Sequence, residues 1–434
     1  MTILVLGAGV VGVSSAWFLR QAGFDVTVIE RQPAAALETS FANGGQISVC
    51  HAEPWANPHV LPKALRWLGK EDAPLLFRLR PDPVLFGWLA GFLRNCTAAR
   101  ARENIRAIVA LACFSRSQLQ ALRHNLGADF AAEYDALTRG ILHLYTDPKE
   151  YAAALEAARV MRELGLDRLP VEAAECVRLE PALADVGSQL AGGDFTASDE
   201  SGDAHRFTQA LAARAAAAGV VFRYGETVTG LELEKGHARG VRLASGERRA
   251  AAAIVVALGS YSAPFLRPYG LRLPIYPAKG YSATLALTPE TVTRGWAPTV
   301  SLTDDERKIV ISRLGNRLRI AGTAEFNGFN LDLNPTRCQA LLHRLRFLFP
   351  RLEFAGDPNF WCGLRPATPS NLPLIGKSRI PGLWLNSGHG TLGWTMSCGS
   401  AVALSTLMQG RAPAIDFPFL DSLHGGHRLF RLFG

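Results

Sequence analysis

The first thirty residues restrict the fold more than any other stretch. An apolar run, Thr2–Leu6, precedes the sequence GAGVVG at 7–12, a helical pattern extends to Gly23, and a second apolar run, Val26–Ile29, leads to Glu30. In such a unit the first glycine permits a tight turn, the second lets a pyrophosphate approach the backbone, and the third lets helix and strand pack closely. The helix N-terminus offers N–H groups to phosphates, and the acid accepts hydrogen bonds from a ribose diol. The pattern predicts a dinucleotide-binding β-α-β unit rather than a glycine-rich turn of another α/β fold, but it does not distinguish NAD from FAD.

Length and composition limit the class of protein. A chain of 434 residues, 48% hydrophobic and 19% charged, is typical of a globular protein with two domains. The net charge is +8, but the basic residues are scattered and no zinc-ligand spacing occurs, so we expect neither nucleic-acid binding nor a metal site. Seven cysteines without a CxxC pattern, no cationic leader and no apolar run of about 20 residues favour a cytoplasmic protein.

The dinucleotide-binding sheet is predicted to be assembled from separated parts of the chain. Ala253–Leu258 (AIVVAL) is a further buried strand, and Leu383–Leu385 is another that leads into a glycine-rich loop. Between these strands, residues 228–250 alternate as a small antiparallel meander, and residues 273–326 alternate between strands and turns. We therefore predict a discontinuous dinucleotide-binding domain at 1–75, 190–270 and 360–422, a substrate or cap domain at 76–189 and 271–359, and a basic C-terminal tail at 423–434.

A second glycine-rich loop lies near the end of the chain. Residues 386–400 read NSGHGTLGWTMSCGS, with four glycines and no formal charge, and a helical pattern extends from Leu392 to Met408. Backbone without bulky side chains is typical of a place where a ligand lies close to the chain.

Six motifs, in order along nearly the whole chain, resemble the D-amino-acid oxidase/glycine oxidase family of flavoproteins, and most closely its D-amino-acid dehydrogenase members. They are GAGVVG with Glu30, ETSFANGGQIS at 38–48, VVALGSYS at 255–262, YPAKGYS at 276–282, FWCGLRPATP at 360–369 and the loop at 386–400. The resemblance implies an α/β (α+β) fold of the p-hydroxybenzoate-hydroxylase type, in which a Rossmann-like FAD-binding domain carries a discontinuous antiparallel-sheet substrate domain. It also implies non-covalent FAD and the oxidative deamination of D-amino acids to 2-oxo acids and ammonia.

The resemblance assigns cofactor contacts to residues of this chain by motif. The first loop and its acid would bind the pyrophosphate and ribose, the second motif the pyrophosphate, ribityl chain and flavin, the third the ADP portion, and the last loop the pyrimidine end of the ring. The predicted cofactor-binding residues are Gly7, Gly9, Val10, Val11, Gly12, Glu30, Arg31, Ser40, Asn43, Gly44, Gly45, Gln46, Ile47, Val228, Ala257, Leu258, Gly259, Gly388, His389, Gly390, Thr391, Leu392, Gly393 and Thr395.

Substrate contacts are predicted at four positions. The resemblance implies that Arg365 binds the substrate carboxylate and fixes the α-carbon for hydride transfer, and a guanidinium can do so through two parallel hydrogen bonds. An internal salt bridge is the alternative role for this arginine. His51 stands where relatives usually have tyrosine, and either faces the substrate or packs within its loop. Tyr276 and Tyr281 either line the substrate pocket or pack in a sheet.

The sequence gives less direct evidence on the electron acceptor and on contact with a membrane. Leu318–Ala324 contains no lysine where oxygen-using relatives hold one above the flavin, which, with the resemblance, favours a quinone-type acceptor. The apolar run Pro83–Leu93 and the tail could make peripheral contact with the inner face of the cytoplasmic membrane, although the run also suits a buried helix. Cys362 is expected to be a small buried thiol rather than a flavin attachment point.

Two other functions remain open at this point. One is a dehydrogenase or oxidase of proline, hydroxyproline or another secondary amino acid. The other is a flavin-binding electron-relay subunit of a complex.

Overall fold

The fold is given by a computed structural model, which describes residues 2–58, 60, 67, 69–78 and 80–420. Its strands are β1 (Thr2–Leu6), β2 (Asp25–Glu30), β3 (Gln46–Ile47), β4 (Leu75–Phe77), β5 (Ile141–Tyr145), β6 (Arg168–Val171), β7 (Gly192–Thr196), β8 (Glu200–Ser201), β9 (Val221–Tyr224), β10 (Val228–Glu234), β11 (His237–Leu243), β12 (Arg248–Ala250), β13 (Ala253–Val256), β14 (Tyr276–Leu287), β15 (Ser301–Asp304), β16 (Ile309–Leu314), β17 (Arg317–Phe326), β18 (Phe354–Ala367), β19 (Leu374–Lys377) and β20 (Leu383–Ser387).

The described α-helices are α1 (Val10–Gln21), α2 (Pro83–Asn95), α3 (Ala98–Leu126), α4 (Ala128–Glu133), α5 (Pro148–Glu163), α6 (Ala173–Leu179), α7 (Ala204–Ala217), α8 (Ser262–Leu266), α9 (Pro289–Thr293), α10 (Pro335–Leu348) and α11 (Gly393–Met408). Short 3₁₀ turns lie at Pro181–Gln189, Gly259–Tyr261, Arg267–Tyr269 and Gly390–Leu392. Among the helices described here, none is long and apolar enough to cross a membrane.

The first sheet has six strands in the order β19-β20-β13-β1-β2-β9. Every neighbouring pair is parallel except β19 and β20, which are antiparallel. The central strands are apolar throughout because both faces of the sheet are covered. α1, α7 and α11 contribute to the core on one face, and the meander of β10, β11 and β12 packs on the other. This arrangement confirms that the dinucleotide-binding sheet is built from distant parts of the chain.

The second sheet has nine strands. Eight follow the order β18-β14-β17-β16-β15-β5-β7-β6, and β4 pairs with β17. Most neighbours are antiparallel, whereas β15 with β5 and β17 with β4 are parallel. β14 is buried along nearly all of its length because β17 and β18 flank it and α10 covers it. The mixed α/β and antiparallel architecture predicted from the sequence is confirmed.

Three of the predicted domain limits do not coincide with the boundaries between the two sheets. β4 and β18 straddle the limits set at 75 and 360, and β7 begins just after the limit set at 190. All three strands hydrogen-bond within the second sheet, because their backbone groups continue its ladders. Residues 192–196 and 360–367, predicted from the sequence to lie in the dinucleotide-binding domain, therefore belong to the second sheet. The predicted tail at 423–434 lies outside the described residues.

Candidate active site

A continuous cavity of about 1450 Å³ is lined by residues of both sheets. At one end its wall includes the loop after β1, the end of β2 and the start of β10. Further along, the wall includes residues 43–46 and the loop between β20 and α11. The two glycine-rich loops, separated by about the whole length of the chain, therefore border the same space.

The turn after β1 depends on glycine for steric reasons. Gly7 has φ +99°, and a Cβ there would lie 2.7 Å from the carbonyl oxygen of Ala257. A Cβ on Gly12 would lie 2.0 Å from the carbonyl oxygen of Gly7. Within the described part of the chain, a Cβ on Gly9 would meet only the Ser40 hydroxyl, at 3.4 Å, so the approach to this residue is uncrowded there. Gly7 and Gly12 thus shape the turn, and Gly9 leaves the approach to its backbone free.

Polar groups at this end of the cavity are already ordered by the backbone. The N–H of Val10, at the start of α1, donates to the Ser40 hydroxyl (3.0 Å). The carboxylate of Glu30 accepts from the N–H groups of Ala8 (2.7 Å) and Gln32 (2.8 Å). Burial raises the pKa of Glu30 despite these bonds. Each carboxylate oxygen retains a lone pair, so the group can still accept hydrogen bonds from a diol.

At the other end, the loop before α11 presents backbone and neutral side chains to the cavity. Gly388 and Gly390 have positive φ values of +84° and +54°. The first turn of α11 has no capping side chain and no acidic residue, so its N–H groups and partial positive charge face this loop. His389 is buried, its Nε2 lies 2.9 Å from the Ser400 hydroxyl, and burial lowers its pKa to about 3. The imidazole is therefore neutral at physiological pH.

Two cavity-lining side chains in this region have buried polar atoms without a partner among the residues that the structure describes, Oδ1 of Asn386 and Nε1 of Trp394. Buried polar atoms normally have a hydrogen-bond partner, so unpaired ones at a cavity wall suit a polar ligand. On the opposite side, a Cβ on Gly44 would lie 2.3 Å from Cγ2 of Val310. This close approach fixes the position of residues 43–46 against β16.

Arg365 lies in β18 and lines the cavity between the two loops. Its guanidinium donates to the carbonyl oxygens of Thr323 (2.6 Å) and Gly322 (3.4 Å). Among the described residues it has no carboxylate partner, so the internal salt bridge considered for this residue is not present there. Burial, and to a smaller extent the charge of Arg337, lowers the pKa of Arg365 to about 10. An arginine whose charge is not neutralised by the protein is suited to bind an anion.

The backbone around Arg365 is shaped for this side chain. A Cβ on Gly280 would lie 2.3 Å from Cζ of the guanidinium, so a larger residue there would displace the guanidinium. Thr323 has φ +56°, which is an outlier for a β-branched residue, and its carbonyl oxygen is one of the two acceptors. Strain of this kind is characteristic of functional sites.

The other predicted substrate residues occupy different positions relative to the cavity. His51 and Tyr281 line it, although Tyr281 is 1% exposed and donates its hydroxyl hydrogen bond to Glu325. Tyr276 packs in a separate aromatic cluster with Trp88 and Phe326, and its hydroxyl donates to Asp82 (2.7 Å). Tyr276 is not part of the cavity wall, which agrees with the sheet-packing alternative for this residue.

Most predicted cofactor residues line the cavity, and three support it from behind. Gly12, Ile47 and Gly388 are not part of the wall. Arg31 lines the wall, stacks on the ring of Tyr261 (4.0 Å) and pairs with Glu38 (2.5 Å). The Cys362 thiol donates to the carbonyl oxygen of Leu331 (3.0 Å) and does not line the cavity.

Sequence reasoning missed a polar group of cavity residues that the fold brings together. His143 on β5 lies 2.6 Å from Asp305 (Nδ1 to Oδ2), and Lys308 donates to the other oxygen of Asp305 (3.0 Å). His143 is buried and meets Asp305 only through the fold, so the only local signal of this group was a histidine inside the apolar strand ILHLY. The search for a lysine was confined to Leu318–Ala324, which has none. It therefore missed Lys308, which directly precedes the neighbouring strand β16.

Comparisons with known proteins identify the family. Residues 2–407 match the family model described as FAD dependent oxidoreductase. The chain belongs to the FAD-dependent oxidoreductase family. Its curated relatives include the D-amino acid dehydrogenase of Dechloromonas aromatica, 62% identical over 97% of this chain and 100% of the relative, and that of Paramagnetospirillum magneticum, 51% identical over 96% and 97%. Glycine oxidase from Geobacillus kaustophilus has the same fold, with a TM-score of 0.72 and 21% identity over 95% of this chain and 96% of that one.

FAD is therefore the cofactor of this chain, and the observed residues fit it. The uncrowded backbone at Gly9 suits the pyrophosphate, Glu30 suits the ribose, and the unpaired polar atoms of Asn386 and Trp394 would be available to polar atoms of the cofactor. When bound, FAD supplies hydride-acceptor chemistry, whereas the protein supplies binding and orientation.

Proposed function

We propose that this chain oxidises D-amino acids to 2-oxo acids and ammonia and passes the electrons to a quinone-type acceptor. The observation that carries the proposal is the unneutralised guanidinium of Arg365 in the cavity that both glycine-rich loops border. The high identity with two D-amino acid dehydrogenases, 62% and 51%, supports the choice of substrate class.

Arg365 binds the substrate carboxylate through N–H groups that the two backbone carbonyls leave free. Because Thr323 and Gly322 hold the guanidinium plane, the carboxylate has one preferred orientation, and the α-carbon is fixed with it. Gly280 leaves space above β14 for this arrangement. Holding reactants in one geometry contributes much of the acceleration in such reactions. The imino acid product then hydrolyses in water to the 2-oxo acid and ammonia.

The opposite side of the site contributes electrostatics without a charged side chain. The uncapped first turn of α11 presents a partial positive charge, and His389 is neutral because of its burial. Fixed dipoles stabilise negative charge that develops during a reaction without the cost of reorganising solvent.

The choice of a quinone-type acceptor rests on an apolar branch of the cavity. Aromatic and aliphatic side chains from the loop before α2, from β4 and from α2 line this branch: Trp55, Leu75, Phe77, Trp88, Leu89 and Phe92. Leu93 also lines it and is 52% exposed, so the branch opens beside α2. An apolar passage of this kind suits a lipid-soluble acceptor better than a charged one.

We further propose that α2 makes peripheral contact with the membrane surface. Val84, Phe86 and Leu93 of this helix are 43%, 57% and 52% exposed, beside the opening of the apolar branch. Exposed apolar side chains that cluster on one helix are typical of an interaction site.

Flavin reduction tests the substrate and the acceptor. Purified flavin-replete protein is mixed anaerobically with matched D- and L-amino acids, including proline, and the loss of flavin absorbance is followed. We expect bleaching by D-isomers and faster reoxidation by quinone analogues than by oxygen. Bleaching by L-isomers alone would contradict the stereochemistry, and equally fast reoxidation by oxygen would contradict the acceptor.

Vesicle flotation tests the membrane contact independently of turnover. The full chain, the variant Phe86→Ser and the control Phe347→Ser are floated with anionic phospholipid vesicles. Phe347 is 37% exposed and lies on a different helix, α10. We expect the α2 variant alone to lose flotation. Equal flotation of all three proteins would exclude a role of Phe86.

A further inference from the structure

Three cavity residues bring together a set of metal-ligating atoms. One ligand atom from each of His51, His143 and Asp305 lies within 4.8 Å of the others. The residues come from three distant segments: the loop after β3, the strand β5 and the turn after β15. All three line the cavity together with the charged residues Glu53, Arg168 and Lys308, and we call this polar part of the wall the polar branch.

The imidazole of His51 is available as a ligand. Its ring makes no hydrogen bond to any residue that the structure describes, and it is partly exposed to the cavity. Its ring centroid lies 6.0 Å from that of His143. A histidine that faces a second histidine across a cavity, without a partner of its own, can turn a nitrogen toward a shared ion.

The other two residues are held in position by their neighbours. Oδ2 of Asp305 lies 2.6 Å from Nδ1 of His143 and accepts from the Tyr145 hydroxyl (3.0 Å), while Oδ1 accepts from Lys308 (3.0 Å). The far nitrogen of His143, Nε2, lies 3.4 Å from the Cys50 thiol. Outer partners of this type orient ligands in metal sites and are nearly as important as the ligands themselves.

We propose that His51, His143 and Asp305 bind a transition-metal ion of the Zn²⁺ class, with water completing the coordination. Two imidazole nitrogens and one carboxylate oxygen suit Zn²⁺ rather than Mg²⁺ or Ca²⁺, which prefer oxygen ligands. The ion enters between Nδ1 of His143 and Oδ2 of Asp305 and replaces the proton that they share, which is released to solvent. Ligand atoms lie about 2.0–2.2 Å from zinc and therefore about 3.4 Å from one another in a tetrahedral site. Nδ1 of His143 and Oδ2 of Asp305, now 2.6 Å apart, must move apart, and the His51 nitrogen must move toward them.

The surrounding charges set the expected affinity. The Arg168 guanidinium is neutralised by Asp194, through contacts of 2.5 and 2.9 Å, and so opposes a cation weakly. Lys308 remains beside Asp305 and opposes it more strongly. We therefore expect a dissociation constant on the order of 1–10 µM, far weaker than that of a four-ligand structural zinc site.

A bound ion would connect two parts of the molecule. His51 follows β3, which pairs with β8, whereas His143 lies in the nine-stranded sheet and Asp305 directly follows its strand β15. The carbonyl oxygen of Lys308 accepts from the N–H of Thr323, whose own carbonyl holds Arg365. Zinc would thus fill the polar branch next to the arginine and reduce access to it. The inhibition rests on the proposed function, but the binding does not.

Calorimetric titration of the flavin-replete protein with ZnCl₂ tests the site without turnover. The variants are His51→Gln and Asp305→Asn, and the matched control is His237→Gln, an exposed histidine at the start of β11. We expect one zinc ion per chain, at least about tenfold weaker binding in both site variants, unchanged binding in the control, and no heat with MgCl₂. Flavin content, measured on each protein, shows whether the variant is folded.

Two outcomes would overturn the site. They are the absence of binding to the unmodified protein at 100 µM zinc, on the order of ten times the weakest expected dissociation constant, and zinc binding by His51→Gln that equals the unmodified protein. In either case His143 and Asp305 are a hydrogen-bonded pair and His51 packs beside them without sharing an ion. X-ray absorption at the zinc edge provides the second measurement: two nitrogen ligands near 2.0 Å support the site, and a shell of oxygens alone contradicts it.

Discussion

Arg365 allows a prediction in which substrate binding is lost while the stability of the fold is kept. The guanidinium is enclosed, donates to two carbonyl oxygens and has no carboxylate partner among the described residues. Burial lowers its pKa to about 10, which means that keeping the guanidinium charged costs the folded state free energy. Replacement by methionine removes this charge and keeps most of the volume. We therefore expect Arg365→Met to lose substrate binding without losing stability.

The size of the binding effect follows from the hydrogen bonds. A bidentate contact with the substrate carboxylate consists of two charge-assisted hydrogen bonds, each worth about 1.5–3 kcal/mol. Their loss raises KM by at least about 100-fold. Arg365→Lys keeps the charge but not the planar fork, and we expect a rise in KM of about tenfold.

Steady-state kinetics with a dye acceptor, flavin absorbance and thermal unfolding provide the readouts. The matched control is Arg319→Met, because Arg319 is also buried, also has a pKa lowered to about 10, and donates to the carbonyl oxygen of Asn43 without lining the cavity. We expect the control to change flavin retention but not KM at saturating FAD. An unchanged KM for Arg365→Met would remove this residue from the substrate site. A fall in Tm of more than about 5 °C would refute the argument about stability.

Two further predictions concern the glycine-rich loops. Gly12→Ala should abolish FAD retention, measured as flavin absorbance per protein, because the new Cβ would lie 2.0 Å from a backbone oxygen. Gly87→Ala in α2 should instead stabilise the fold by about 0.5–1 kcal/mol, because no atom of the described residues outside the local helix backbone lies within 4 Å of the new Cβ. His389 has a pKa of about 3 in the fold against 6.5 in the unfolded chain, so the unfolded state binds more protons between these values and acid destabilises the fold by about 1.4 kcal/mol per pH unit. In His389→Gln the loss of unfolding free energy between pH 7 and pH 5 should be smaller by about 2 kcal/mol, and an identical loss would show that this histidine is not buried neutral.

The parts of the fold that the sequence predicted are those with local causes. The β-α-β unit at the N-terminus and the meander at 228–250 depend on hydrophobic periodicity and turns within about 30 residues, and both are confirmed. The second sheet depends on pairings across long separations, such as β5 with β15, which periodicity does not reveal. For this reason the domain limits predicted at 190 and 360 do not coincide with the boundaries between the two sheets.

The candidate site divides in the same way. Arg365 and the glycine loops stand in motifs that can be read along the chain. By contrast, His143 and Asp305 are 162 residues apart and become neighbours only because β5 and β15 pair in parallel. The sequence also does not show whether a polar side chain on a buried strand has a structural or a functional role. The polar branch of the cavity could therefore not have been found without the topology.

The separation of the two glycine-rich loops has a topological explanation. β1, β13 and β20 are adjacent and parallel in the order β20-β13-β1, so their carboxyl ends lie at one edge of the sheet. Gly7 follows the first of these strands and Gly388 the last, two strand spacings apart, or about 10 Å. The loop after β13 lies between them, and its Ala257 carbonyl limits what can stand at Gly7. One cofactor can span this edge because the chain returns to it three times, and the long insertions between the visits build the sheet that carries Arg365.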